Sequence, residues 1–234
     1  QWCGAIGDVG CYSFQFNKML TSGEGGMVLT DDRVVWQRAE MFHDVIGGES
    51  RKDPVVDELC GINFRMPELL AAVNLVQLLR LDWLLDNMRA RKRMIKEGLA
   101  DVTQRKGITF RAENDEAGDT AICTVFFVDS VATGDRVIEA LRAENIGAGD
   151  LYRRHKRDYH VYAHWEPILA QRGWSAGGDP WRWANRKIEY DHDMCPRSLD
   201  LLSRAVHLNV SPLLTNEDVE ETIEGVNKVL NALA

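Results

Sequence analysis

No CxxC pair occurs in this chain, and no even cysteine framework. Its five cysteines, Cys3, Cys11, Cys60, Cys123 and Cys195, are odd in number and separated by long gaps. That argues against a disulfide scaffold or a structural zinc site, and it accords with a reducing, cytoplasmic setting. Positive charge is also short: 28 Lys and Arg face 36 Asp and Glu, leaving a net −8. A general nucleic-acid binder needs a dense basic surface, so that class is set aside. Long apolar runs are missing. The richest stretch, Leu69 to Leu85, is interrupted by Asn74, Gln77, Arg80 and Asp82, which makes a poor membrane span. No basic, apolar and small-residue series opens the chain as a secretory signal would. The sequence begins with Gln1, and the expectation is a processed product or a piece of something longer. No internal repeat or low-complexity tract is visible.

What is present is ordinary for a folded protein. Of 234 residues, 45% are hydrophobic and 27% charged, enough for a real core and for one or two domains. Val9 to Phe16 mixes aromatic and β-branched residues and reads as a strand. The turn Gly23-Glu24-Gly25-Gly26 follows, then a second short strand, Met27 to Thr30. Asp31 or Asp32 can cap a helix to about Asp44. Residues 46–60, with Gly47-Gly48 and Pro54, read as a loop.

A long helix is expected from Pro67, with Glu68 at its positive end. Its first half is apolar on nearly every face, so it should lie between layers, domains or subunits, or within the core. Its continuation, Asp86 to Glu97, is charged and expected to be exposed. Ile122 to Val128 reads as a strand, and Thr133 as the cap of a helix to about Asn145. A short segment returns near Ile146 to Leu151. Ala205 to Val210 reads as a strand, and Thr215 with Asp218 resembles a capping box. The last helix carries Val219, Ile223, Val226, Leu230 and Leu233 on one stripe. This alternation suggests a small α/β domain at the end of the chain.

Among residues that can carry chemistry, Lys18 stands out. It lies just past an aromatic strand and just before a glycine turn. A lysine desolvated in a cleft there has a lowered amine pKa and can form a Schiff base. The alternative is a solvated lysine beside a hairpin. Ser13 offers a hydroxyl suited to a phosphate oxygen, and the glycines let backbone approach a ligand. His155, His160 and His164 cluster, the last two at a spacing that could share a helical face and bind zinc. No convincing third ligand accompanies them, and Tyr159, Tyr162 and Trp165 suggest packing, so no metal is assigned. Arg65 and Arg197 suit a substrate carboxylate or plain ion pairs.

The same residues carry a resemblance. Gly7-Asp8-Val9-Gly10-Cys11-Tyr12-Ser13-Phe14, then Lys18, then Gly23-Glu24-Gly25-Gly26, resembles the signature of the DegT/DnrJ/StrS aminotransferases. Gly61-Ile62-Asn63-Phe64-Arg65-Met66, followed by Glu68-Leu69 and Ala71-Ala72, resembles that family's G-x-N-x-R-M motif and helix. Cys195 to Asp200, Val210-Ser211-Pro212 and Thr215 to Asp218 resemble its C-terminal end.

The resemblance implies a fold-type I enzyme using pyridoxal 5'-phosphate (PLP). The fold class is then α/β: residues 1–100 would be the C-terminal part of a PLP-binding large domain with its mixed sheet and linking helix, and 101–234 a smaller C-terminal α/β domain. Lys18 would hold PLP as a Schiff base and, once freed, shuttle the proton. Ser13 would contact the cofactor phosphate. Asn63 would reach the phosphate of a neighbouring subunit's cofactor, which implies a homodimer with a shared site. The stretch 153–197 would lie near the substrate, with Trp174, Trp181 and Trp183 as part of a lid or of a packed excursion. The reaction implied is transfer of an amino group from an amino acid to a keto-sugar or keto-cyclitol. The family's N-terminal elements have no counterpart here: the phosphate loop, the ring-stacking aromatic and the Asp on the pyridine nitrogen. Met19 also departs from the polar residue common after the lysine. Two alternatives remain open: a sugar dehydratase of the same fold, which typically has histidine at the lysine position, and a non-catalytic binding or regulatory fragment.

Overall fold

In the computed structural model, which describes residues 1–45, 48–173 and 180–234, the aromatic segment near the start forms β1 (Gly10–Ser13). It pairs antiparallel with β2 (Gly26–Leu29), Gly10 opposite Leu29 and Ser13 opposite Gly26. Asp32 caps α1 (Arg33–His43), its carboxylate accepting from the Val34 and Val35 N–H groups. Two donors left open by the first turn are thereby satisfied. A 3-10 turn at Ser50–Lys52 punctuates the loop that follows. Gly47 and Trp174, expected in a loop and a lid, lie outside the described residues.

Pro67 stands at the N-cap of α2 (Glu68–Leu79). The single long helix expected here is two. The Arg80 N–H turns to the Gln77 and Leu78 carbonyls in a tightened turn, and α3 (Leu81–Gly98) starts beyond it. No residue of α2 is buried, and Leu69 and Leu79 are 82% and 80% exposed. The charged half of α3 corrects the other expectation, because Met88, Lys92 and Ile95 are buried there. Lys92 tolerates burial because its ammonium lies 2.6 Å from Glu113 and 2.5 Å from Asp119, and buried charges need such partners. Those partners sit outside the helix, beyond the reach of a periodicity argument.

The chain divides into two compact units, Gln1–Asp86 and Asn87–Ala234, parting within α3, whereas the expected boundary stood at the start of α4 (Ala100–Lys106). The second unit continues through β3 (Thr109–Phe110), β4 (Cys123–Phe127), α5 (Val131–Ala143), β5 (Ala148–Gly149), α6 (Glu166–Leu169), α7 (Pro196–Ser203), β6 (Ala205–Asn209) and α8 (Asn216–Leu233). The sheet order is β3-β4-β6-β5, antiparallel throughout. Strand alternation sets Phe126, Val206 and Leu208 on one side, all buried, while Cys123, Val125 and Ala205 cluster with Phe127 and Leu151. α5 packs on α8 and on β5 and β6.

Ser130, not Thr133, caps α5. Its hydroxyl accepts from the Thr133 N–H at 3.1 Å, so Thr133 sits one turn inside and bonds the cap. Thr215 and Asp218 form the expected reciprocal box at α8. Val219, Val226 and Leu230 of its stripe are fully buried. No helix among the described residues is long and apolar enough to cross a membrane.

The Lys92 cluster sets a pH window for the second unit. Burial opposes the charge of Lys92, but hydrogen bonds and attraction from Asp119 and Glu113 outweigh it and raise the ammonium above 10.5. Burial likewise opposes Glu113, and Lys92 and Lys96 hold its carboxyl below 4.5. The Glu113 contribution is therefore complete above its unfolded value and lost as pH falls through the depressed one. The Lys92 contribution is complete below its unfolded value and lost as pH rises through the raised one. Lys92→Met, which leaves Asp119 without its cation and Glu113 with Lys96 alone, should lower stability by about 3 kcal/mol at pH 7. The loss should shrink below pH 4. Urea denaturation across pH checks this.

Candidate active site

The loop that carries Lys18 is built by hydrogen bonds to one residue. The Phe14 N–H donates to the Gly25 carbonyl at 2.9 Å. The Phe14 carbonyl accepts from the Ser22 N–H at 3.2 Å and from the Thr21 hydroxyl at 3.0 Å. The Thr21 hydroxyl also accepts from the Gly23 N–H at 2.9 Å. Chain entering and leaving the loop is thus pinned at the end of β1. The Lys18 N–H donates to the Gln15 carbonyl at 2.9 Å, which places the lysine on a bend at the tip. Gly25 has φ +142, a conformation that side chains rarely adopt. A Cβ there would stand 2.6 Å from the Met66 methyl, so the glycine turn and the Asn63–Met66 segment meet at this point.

Lys18 itself is exposed. Desolvation of the lysine is not supplied by the described residues. Among the described residues no carboxylate pairs with its amine. Ser13, last residue of β1, is exposed, and its oxygen accepts from the Gln15 N–H at 3.3 Å. Its hydroxyl proton has no acceptor among the described residues.

Asn63 follows a close approach of backbones. A Cβ on Gly61 would lie 2.2 Å from the Phe42 carbonyl oxygen, and the Gly61, Ile62 and Phe64 N–H groups donate to Val45, Phe42 and His43. The Asn63 side-chain oxygen accepts from the Arg65 N–H at 3.1 Å and from Arg65 Nε at 3.3 Å. Two donors on the oxygen settle the amide orientation and leave Nδ2 as an open donor. The Arg65 guanidinium lies 2.9 Å from Asp44. An ion pair is therefore one of the two roles foreseen for Arg65, and it neutralises the carboxylate beside Asn63. Asp44 and Thr21 escaped the sequence reading, because neither stands in a motif.

The donors that would meet PLP are an amine, a hydroxyl with a free proton and an amide N–H, with the neighbouring carboxylate already paired. That set fits an aldehyde bearing an anionic phosphate.

The histidine cluster does something else. The His160 ring bonds the Asp158 carboxylate at 2.8 Å, and His164 Nδ1 accepts from the Asp158 N–H at 2.8 Å. The His160 contact comes after the backbone bond that chiefly holds Asp158 below its usual range. Only a 3-10 turn, Tyr162–His164, forms here, so the two histidines share no helical face. His164 packs against Tyr152 at 5.3 Å. Among the described residues no group of three or more His, Cys, Asp or Glu is arranged to hold a metal ion. A groove of about 750 Å³ is lined by Leu169, Trp181, Arg186, Tyr190 and Met194, among others, and contains none of Ser13, Lys18 or Asn63. Trp181 donates to the Tyr190 hydroxyl at 3.2 Å. Trp183 and Arg197 are exposed.

This architecture is an aminotransferase fold. An aminotransferase from Psychrobacter cryohalolentis superposes with a TM-score of 0.75 at 19% identity, covering 98% of this chain and 57% of that one. A Brucella abortus DegT/DnrJ/EryC1/StrS aminotransferase gives 0.66 at 22% identity, covering 97% and 52%. The family's sequence pattern matches residues 1–172, and the chain belongs to the DegT/DnrJ/EryC1/StrS aminotransferase family. A Micromonospora echinospora protein assigned as an L-glutamine:3-amino-2,3-dideoxy-scyllo-inosose aminotransferase is 30% identical over 241 aligned positions, 98% of this chain and 54% of the relative. The chain spans about half the length of that relative.

Gly25→Ala should destabilise the turn by about 1–3 kcal/mol, through backbone strain and the clash with Met66. Adding Met66→Ala should recover the clash but not the strain. Denaturant midpoints of the three variants check the partition.

Proposed function

We propose that the protein carrying this chain is a PLP-dependent transaminase that moves an amino group from an amino acid to a keto-sugar or keto-cyclitol. The observation that carries the reading is the exposed, uncompensated Lys18 at the tip of a pinned loop, with Ser13 at its base, in a chain of this family. Glutamine is the amino donor we favour. Its support is the name of the Micromonospora relative and that of the Streptomyces griseus L-glutamine:scyllo-inosose aminotransferase, 36% identical over 118 residues, 47% of this chain and 27% of that one. The setting we propose is the cytoplasm, supported by five free thiols.

In this reading Lys18 Nζ anchors the cofactor aldehyde, and Ser13 Oγ–H donates to its phosphate. The Asn63 amide N–H donates to the phosphate held by a second copy of the chain. The bound cofactor supplies an electron sink for the carbon that gives up its proton. Lys18 Nζ takes that proton and returns it, as a positioned base and then acid. A base with this task works best where surface laid over it excludes water. We assign part of that surface to a second copy of the chain, with the unburied apolar α2 next to Asn63 as the contact face.

Borohydride reduction of the protein with PLP should label the Lys18 peptide, as read by mass spectrometry. Lys18→Ala should lose the label and lower turnover about 10³-fold or more. Labelling spread over many lysines would overturn the assignment. Lys18→Ala and Asn63→Ala proteins, each impaired alone, should regain activity on mixing, because one site of a mixed dimer then keeps both residues. No recovery would refute the shared site.

A further inference from the structure

Two polar side chains of α1, Gln37 and Glu40, and its C-cap Asp44 follow one another at spacings of three and four. Such spacing stacks them along one face. Each grips a different part of the chain that follows. Gln37 is 1% exposed; its Nε2 donates to the Asp53 carbonyl at 2.8 Å, and its oxygen accepts from the Val55 N–H at 2.7 Å. The Glu40 carboxylate accepts from the Glu49 and Ser50 N–H groups at 2.9 and 2.8 Å, and from the Ser50 hydroxyl. Burial pushes the Glu40 carboxyl up, but these bonds, the Ser50 hydroxyl first among them, hold it below its usual range. Asp44 closes the series on Arg65, and its backbone bridges to Asn63.

A free carboxamide is nearly indifferent to a half-turn about its last bond, which exchanges oxygen and nitrogen. Toward a phosphate the two faces differ in sign: the N–H attracts and the oxygen repels. Something must therefore choose. Arg65 makes that choice by donating twice to the Asn63 oxygen, and Asp44 holds the Arg65 side chain in place to do so.

We propose that Asp44 and Arg65 are positioning residues for PLP: anchored on the α1 stripe, they lock the Asn63 amide with its nitrogen toward the cofactor phosphate. The inference rests on the PLP reading above. It adds two residues that act through Asn63.

The test is titration of the intact protein with PLP and, separately, with pyridoxal, which lacks the phosphate. Asp44→Asn keeps the size of the side chain and removes its charge. It should weaken PLP roughly tenfold, about one hydrogen bond to a charged group, and leave pyridoxal affinity unchanged. Asp44→Glu should restore part of the loss. Arg65→Gln, at an exposed guanidinium, should reproduce the pattern. Asn63→Ala with Asp44→Asn should be no worse than Asn63→Ala alone. Equal weakening of both ligands, or no weakening by either variant, would overturn the proposal. If the unaltered protein does not form the lysine adduct with PLP at all, the PLP reading has failed, and the positioning role falls with it.

Discussion

The first 86 residues are organised by hydrogen bonds rather than by a core. Among their described residues Met41 is the one fully buried apolar side chain, while Ser22, Gln37 and Ser50 are buried polar ones. Burial of apolar surface ordinarily supplies most of the driving force for folding, and here it is nearly absent within the unit. What holds the local geometry is a set of directional contacts: the Phe14 backbone groups fastening the lysine loop, and the α1 stripe fastening the segment before α2. Such bonds specify positions to a few tenths of an ångström but contribute little net stability each. The unit's exposed apolar residues, Leu69, Leu79, Phe16 and Phe64 among them, call for another surface to cover them.

The second unit inverts this balance. Its sheet and the helices α5 and α8 bury Phe126, Val206, Leu141 and Leu230 almost completely, and strand alternation and the capping box at α8 agree with the fold. Ser13, Lys18 and Asn63 all lie in the first unit and are exposed there.

That contrast explains what was legible in the sequence. Strands β1, β2, β4 and β6 and the helices α1, α5 and α8 follow from patterns confined to a few consecutive residues, and so does the Lys18 loop with its glycine turn. Two readings differ from the structure. The charge around Lys92 reads as exposed because its acids sit 21 and 27 positions away. Thr133 reads as a cap because Ser130 and Thr133 are chemically equivalent until backbone angles choose between them. For Lys18 the sequence leaves a cleft lysine and a solvated lysine beside a hairpin both open, and among the described residues its side chain is exposed. Asp44 was invisible for a related reason: it reads as the last polar residue of a helix, and its work appears only when Arg65 returns to it.

The exposure of Lys18 also bears on how the site is assembled. An amine in water holds its proton tightly, and only loss of solvent or a nearby positive charge loosens it. Exclusion of water from the loop needs apolar surface laid over it. The chain presents such surface outward on α2 and in the segment around Asn63, rather than inward on its own lysine. On this argument the uncovered apolar face and the uncovered amine are two halves of one requirement, which is further surface laid over both.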